Sequence, residues 1–479
     1  MTSARVRPSA TTPIKAALFG AALALSGIFG ADRVAAQGAQ GAQGDSVALS
    51  FDEALALGHR AWLAGDAALS NRIARALAEA RPENVPALLM LSASETALGR
   101  PAEARDAARR AFARSESNGA RYEASYLVAS SAMAEDRYIA AQFWLRRAYQ
   151  SAETDADRET IARAFSAVRR ESPWAARVSF EVAPSSNVNG GAQSPLLVID
   201  DSPYVGLLSG AARALSGTEA RLYARVGYTL SESQTHRTRL TFRGYRSFVT
   251  LSDEAQEIAP RAEGRDFEYG IAELGVQHRL AEVPGPLPDT VGLAFGQTWY
   301  GGEPLDSFVR LNFGRTVRLA PRTALTFGAE SERRWSDTDA ADRVGREIDA
   351  WLTHRLEMGM RLHAGLALSR VTSDDANREY EDATATAGFS MGEPVMGVRL
   401  SGSLSYTERD YDSYAIGFID VPGGRQDSEW SARLDMEIHH VDVMGFVPVL
   451  SLTGRQSVSN VSRFEGDSVG VSVGFSSAF

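Results

Sequence analysis

The sequence predicts a two-part chain of the α plus membrane β class: helical repeats, then a 14-stranded antiparallel transmembrane β-barrel. Three observations carry this. Gly65 and Gly99 sit 34 residues apart, each at the turn between two helical runs. After Trp174 the apolar period changes from helical to two. The last segment sets Val469, Val471, Val473, Phe475 and Phe479 against Ser468, Gly470, Ser472, Gly474 and Ser476.

Taken in chain order, Arg5, Arg7 and Lys15 precede the apolar run AALFGAALALSGIFG, and Val34 and Ala36 suit a signal-peptidase site before Gln37. The run is shorter than the roughly 20 apolar residues of a bilayer-spanning helix. Residues 1–36 therefore read as a signal peptide of an exported protein, and the small-residue repeat in 37–45 as a flexible linker. The absence of cysteine removes disulfides, thiolate chemistry and the lipid-bearing cysteine of a lipoprotein. Lys15 is the sole lysine, which leaves no Walker A lysine in a mature chain. A net charge of -10 argues against nucleic acid as a partner.

Residues 46–171 carry helical spacing, with Ser50 and Glu53 placed as a capping box. Leu55, Leu57 and Trp62 open the first helix, and Asp136 takes the turn position of Gly65 and Gly99 in a third unit. Ala104, Ala107, Ala111, Ala141 and Ala148 stand where paired helices approach closely. The pattern resembles about three degenerate tetratricopeptide (TPR) units with a further helix near 156–170. Such a stack presents a concave surface that binds peptide or protein, or serves as a spacer or plug.

Residues 177–479 read as strands near 177–184, 217–231, 236–248, 265–280, 288–300, 305–318, 321–335, 343–357, 359–371, 378–390, 395–409, 426–440, 445–457 and 465–479. Apolar residues such as Leu222, Val226, Leu366 and Leu434 alternate with charged ones, which belong in a wet lumen and not in lipid. Joins such as SQTH and EMG are short, and longer ones alternate with them, as in a barrel with periplasmic turns and external loops. Two strands fit imperfectly. Arg315 falls on the apolar phase of the sixth, and the fourth changes phase near Ala272, which suggests a bulge.

The candidate lumen residues are Arg221, Arg225, Arg239, Arg243, Arg310, Arg318, Arg361, Arg399, Arg433, Asp435 and Glu437. They read either as a salt-bridged wall completed by Glu330 and Glu332, or as a path touching an acidic or polar passenger. GDSVG, GVSVG and GFSMG satisfy a hydrolase serine motif, but no predicted helix follows any of them, so no catalytic residue is assigned. The seven histidines lack metal-ligand spacing, and no metal or cofactor is expected.

Helical repeats leading into a barrel through "SPWAARVSFEVAPSSNVNGG", with Trp174, Pro184, Asn187 and Asn189, resemble the surface lipoprotein assembly modifier (Slam) family of type XI secretion. The resemblance implies a periplasmic repeat domain on an outer-membrane barrel that delivers a lipoprotein, or a soluble haem-binding or related protein, to the cell surface. It implies a secreted or lipidated client, outer-membrane lipids and the barrel assembly machinery as partners. Phe475 and Phe479 would then be the assembly signal. The alternatives are an exopolysaccharide export porin and a simple diffusion porin. Pro184 is expected to end strand pairing, and Asn187, Asn189 and Gly190 to take positive-φ turn positions.

Overall fold

The computed structural model describes residues 49–281, 283, 285–441 and 446–477. Residues 1–36 and 37–45, read from the sequence as a signal peptide and a linker, and Phe479 lie outside the described residues. The chain divides into two compact units, which part between Trp174 and Ala175.

The first unit holds helices α1 (Phe51–Leu63), α2 (Ala67–Ala80), α3 (Val85–Ala97), α4 (Pro101–Arg114), α5 (Asn118–Ala134), α6 (Tyr138–Ser151) and α7 (Asp155–Glu171). Ser50 and Glu53 form the reciprocal capping box that starts α1. Each of the first three pairs turns the same way. Gly65, Gly99 and Asp136 have φ of 83°, 74° and 57°. The next amide donates back across the turn, from Asp66 to Ala61 O, Arg100 to Glu95 O and Arg137 to Ala132 O. This is the left-handed helix stop, tolerated at aspartate because its short side chain costs little in that conformation. The five alanines noted above are all 2% exposed or less, so the helices pack closely over them. Leu88, Met133, Leu145, Ile161 and Val168 fill the remaining interior.

The second unit is a closed antiparallel barrel of 14 strands. They are β1 (Trp174–Ser185), β2 (Gly217–Glu232), β3 (His236–Leu251), β4 (Tyr269–Leu280), β5 (Thr290–Tyr300), β6 (Glu303–Ala320), β7 (Thr323–Ser336), β8 (Arg343–Arg355), β9 (Arg361–Ser373), β10 (Tyr380–Ser390), β11 (Val398–Asp410), β12 (Gln426–Ile438), β13 (Phe446–Ser459) and β14 (Gly466–Ser477). Each strand pairs with its chain neighbour, and β1 meets β14 with Phe180 opposite Phe475 and Val182 opposite Val473. Closure satisfies every strand's backbone groups without water, the condition for crossing hydrocarbon. One face of the wall carries exposed apolar residues, among them Phe295, Phe327, Ile348, Leu366, Leu404 and Val473. This is the lipid face.

The structure corrects several details. β4 begins at Tyr269 because residues 264–267 form a 3-10 turn. Its register with β3 and β5 runs through Ala272 unbroken, so there is no bulge there. The phase change arises because Tyr269 and Ile271 share the inner face with Glu273, where the Tyr245 ring lies 6.0 Å from that of Tyr269. Bulges fall instead at Thr229/Ser231, Thr298/Trp299 and Arg318/Ala320. Arg315 does share the outward phase of Leu311 and Phe313 near the end of β6.

The joins at the rim away from the termini are 186–216, 252–268, 301–302, 337–342, 374–379, 411–425 and 460–465. One breaks the long-loop pattern. Gly301 and Gly302, at φ 61° and 86°, close β5 to β6 in a two-residue turn that only residues tolerant of positive φ can make. Several of the other loops pack against one another. Leu197, Ile199, Val421 and Val461 form a small core from three loops. Leu215 packs with Ala255 of a short helix, α8 (Asp253–Ile258), and with Ala259 just after it, in a second.

Candidate functional site

The inner wall is built by the period of two, because every second residue of each strand faces away from the apolar belt. By register Arg221 and Arg225 on β2, Arg239 and Arg243 on β3, Arg310 and Arg318 on β6, Arg361 on β9, Arg399 on β11, and Arg433, Asp435 and Glu437 on β12 all share this face. They are not one constellation. Two clusters, one cross-strand pair and four arginines without a carboxylate divide them.

The first cluster centres on Arg310, whose guanidinium reaches Glu273 at 2.7 Å, Glu330 at 2.9 Å and Glu332 at 2.6 Å. Glu273 also takes Arg243 at 2.7 Å, so β3, β4, β6 and β7 are tied together across the lumen face. The second joins the strands beside the closure. Glu181 on β1 accepts from Arg433 at 3.3 Å and from the Ser472 hydroxyl of β14, with Arg221 at 3.7 Å. Arg433 also holds Asp435 at 2.8 Å and Ser451 at 2.9 Å. A third ion cluster, not anticipated from the sequence, surrounds Asp306, which is 1% exposed and lies 2.8 Å from Arg343. Arg334 and Arg378 stand farther off, at 3.7 and 3.9 Å. Arg399 pairs with Glu437 at 3.2 Å directly across strands.

Arg225, Arg239, Arg318 and Arg361 have no carboxylate partner among the described residues. Arg225 stands directly opposite Arg243. The β2–β3 wall is therefore cationic, whereas Glu347 of β8 stands opposite Glu330 of β7 and makes the β7–β8 wall acidic. A passenger in the lumen meets fixed charge of both signs. Glu181, Arg221, Arg409, Arg425, Arg455 and Ser472 line a polar cavity of about 400 Å³ beneath the looped rim.

The motif residues have a more specific role than turn geometry. Neither Asn187 nor Asn189 has positive φ; only Gly190 does, at 64°. The asparagines act through their side-chain amides. Asn189 Nδ2 donates to Ala211 O and Arg213 O, both at 2.8 Å, and Oδ1 accepts from Leu215 N at 2.9 Å. Asn187 closes its own turn onto Gly191. A Cβ at Gly191 would lie 2.3 Å from Arg213 O, so the backbones touch where only glycine fits. The motif thus clasps the two ends of loop 186–216. Pro184 lies one residue before the end of β1, and Trp174 begins it. Phe475 faces lipid beside Phe180 and Pro448.

The repeat unit has its own concavity, of about 400 Å³, lined by Leu55 and Trp62 of α1, Leu89, Met90 and Ala93 of α3, and Ala120 and Glu123 of α5. Its floor is mostly apolar, while His59, Arg114, Ser115, Glu116, Ser117 and Glu123 border it. Trp62 Nε1 is buried with no hydrogen-bond partner among the described residues, and burial pushes the Glu123 carboxyl up to about 7. A buried N–H left open favours a ligand that brings a carbonyl. Sequence reasoning missed the groove because its residues come from three helices in different units. Ser468 and Ser472 lie within β14 and Ser390 ends β10, so no serine motif sits on a strand-to-helix turn. Among the described residues no group of three or more His, Asp or Glu is gathered to hold a metal.

Residues 290–479 match the family model described as surface lipoprotein assembly modifier. A search of proteins with curated functions finds no match. Among solved structures the chain is similar to outer-membrane expressed OmpT of Vibrio cholerae, with 10% identity, TM-score 0.31, and coverage of 64% of this chain and 97% of that one. It is similar to the anion-selective porin from Comamonas acidovorans, with 11% identity, TM-score 0.31, and 64% and 100% coverage. It is also similar to MamA, with 19% identity, TM-score 0.18, and 24% and 73% coverage. The closed topology and the lipid-facing belt, taken with the family match, make this an outer-membrane barrel.

Proposed function

We infer, for a chain whose residues 290–479 belong to the surface lipoprotein assembly modifier family, that this protein is an outer-membrane translocon for a lipoprotein or soluble client. The repeat unit faces the periplasm and receives the client, and the barrel gives it passage. The apolar groove with its open Trp62 N–H carries this reading most directly. An extended client segment supplies what that groove lacks: an apolar side chain for Leu89 and Met90, and a backbone carbonyl for the indole. The lumen then offers arginines on β2 and β3 and carboxylates on β7 and β8, a surface that holds no single sequence strongly and so lets a polar chain slide. Lys15 is the sole lysine and lies in no Walker A motif, so the drive comes from folding of the client outside or from other partners. A role for the client in haem or metal acquisition belongs to this proposal.

Removing residues 46–171 tests it. Surface display of a client, read by protease accessibility on whole cells, should be lost while the barrel still assembles. Normal display without the repeats would refute it. An exopolysaccharide exporter or a diffusion porin would instead show steady ion conductance in a planar bilayer and no dependence on a protein client.

A further inference from the structure

Three arginines break the rule that places charge on the inner face. Arg333 of β7 shares the outward phase of Phe327, Arg346 of β8 that of Ile348, and Arg370 of β9 that of Leu366 and Leu368. Each stands three residues from its strand's end at the looped rim, since β7 ends at Ser336, β8 begins at Arg343 and β9 ends at Ser373. The three therefore lie at one height on adjacent strands.

Their spacing is tight. Arg346 lies directly opposite Arg370, which puts the Cα atoms about 4.5 to 5.5 Å apart. Arg333 pairs with Val344, so it is the diagonal neighbour of Arg346, about 7 to 8 Å away. Like charges set opposite each other destabilise a sheet. Arg370 is partly balanced by Glu381 at 3.0 Å and Glu379 at 3.9 Å. Arg333 and Arg346 have no carboxylate within ion-pair distance among the described residues, and the Arg333 guanidinium lies over the Trp335 ring at 5.4 Å.

Their depth decides what can neutralise them. From His354 at the other end of β8 to Arg346 is eight residues, roughly 26 Å along the strand and roughly 20 Å of height at a tilt of about 40°. That is close to the height of the apolar band, so these side chains emerge at the boundary between acyl chains and headgroups, where arginine extends its charge outward.

We propose that Arg333, Arg346 and Arg370 form a site on the barrel's outer wall for the phosphate group of a glycolipid headgroup in the leaflet at the looped rim. The guanidinium fork matches phosphate oxygens in pairs, and one phosphate bridging Arg346 and Arg370 turns their repulsion into attraction. The acyl chains of the same lipid then run down over Ile348, Leu366 and Leu368.

The test uses the full chain, folded in detergent and titrated with lipid A bearing both phosphates, with dephosphorylated lipid A, and with inorganic phosphate alone; bound lipid is read by native mass spectrometry. The wild type should bind phosphorylated lipid A at least ten-fold more tightly than the dephosphorylated form. The triple variant Arg333→Gln, Arg346→Gln, Arg370→Gln should lose that preference, whereas Arg315→Gln, an outward arginine toward the other rim, should keep it. If the triple variant does not fold, as judged by heat-modifiable migration, Arg346→Gln alone should lower the preference about three-fold. A preference that survives these changes overturns the proposal. So does displacement of lipid A by inorganic phosphate at low millimolar concentration, which would make the site one for free anions.

Discussion

Replacing Asn189 by alanine isolates what the loop clasp contributes. The amide makes two donor bonds, to Ala211 O and Arg213 O, and accepts from Leu215 N. Its further bond from Gly191 N is duplicated by Asn187, so that amide keeps a partner. Three bonds are lost outright. At a net value of about 1 kcal/mol each they sum to about 3 kcal/mol, reduced to about 2 because water reaches the exposed side of the amide. That corresponds to roughly a 30-fold rise in the opening of the loop base. Hydrogen exchange by mass spectrometry should show it in peptides covering 187–191 and 211–215, with the strands unchanged. Asn189→Asp should not rescue, because it keeps the acceptor for Leu215 but turns a carboxylate toward two carbonyl oxygens. Unchanged exchange in Asn189→Ala would refute the clasp.

Three further outcomes follow from the same geometry. Arg310→Met leaves Glu273, Glu330 and Glu332 without their shared cation and should cost about 3 kcal/mol in denaturant unfolding of the folded barrel, with Glu332→Gln in addition recovering part of it; no change would contradict the hub. Glu123, raised to about 7 in the folded repeat unit against about 4.3 unfolded, binds more protons when folded in that window. Stability should therefore rise as pH falls from 8 to 5, by about 2 kcal/mol allowing for partial exposure, and Glu123→Gln should flatten the dependence in thermal melts of the full chain. Phe475→Ser removes an aromatic from the lipid face beside Phe180 and should lower the outer-membrane level of the protein; an unchanged level would count against its part in assembly.

How far the sequence discloses this molecule follows from which signals are local. The repeat turns at Gly65, Gly99 and Asp136 are legible because a left-handed helix stop has few residue solutions. The strands are legible because lipid on one side and water on the other impose a strict period of two, as at Val469, Val471 and Val473. The loop cores are not, since Leu197, Ile199, Val421 and Val461 meet from segments with no period at all. Phase misleads where the lumen itself is aromatic, as at Tyr269, and where a charge belongs at the lipid boundary, as at Arg346. The Asp306 cluster draws on strands and a turn far apart in the chain, which no local pattern reveals.

Passage of a client through this lumen can be tested directly. A photocrosslinking residue placed at Arg225, on the inner wall without a carboxylate partner, tests it in cells that also make a lipoprotein whose surface display depends on this chain. An adduct is expected between the barrel and that lipoprotein, formed at position 225 and not at the lipid-facing position Ile348, and lost when residues 46–171 are removed. Continued surface display with no adduct at the lumen position would contradict it.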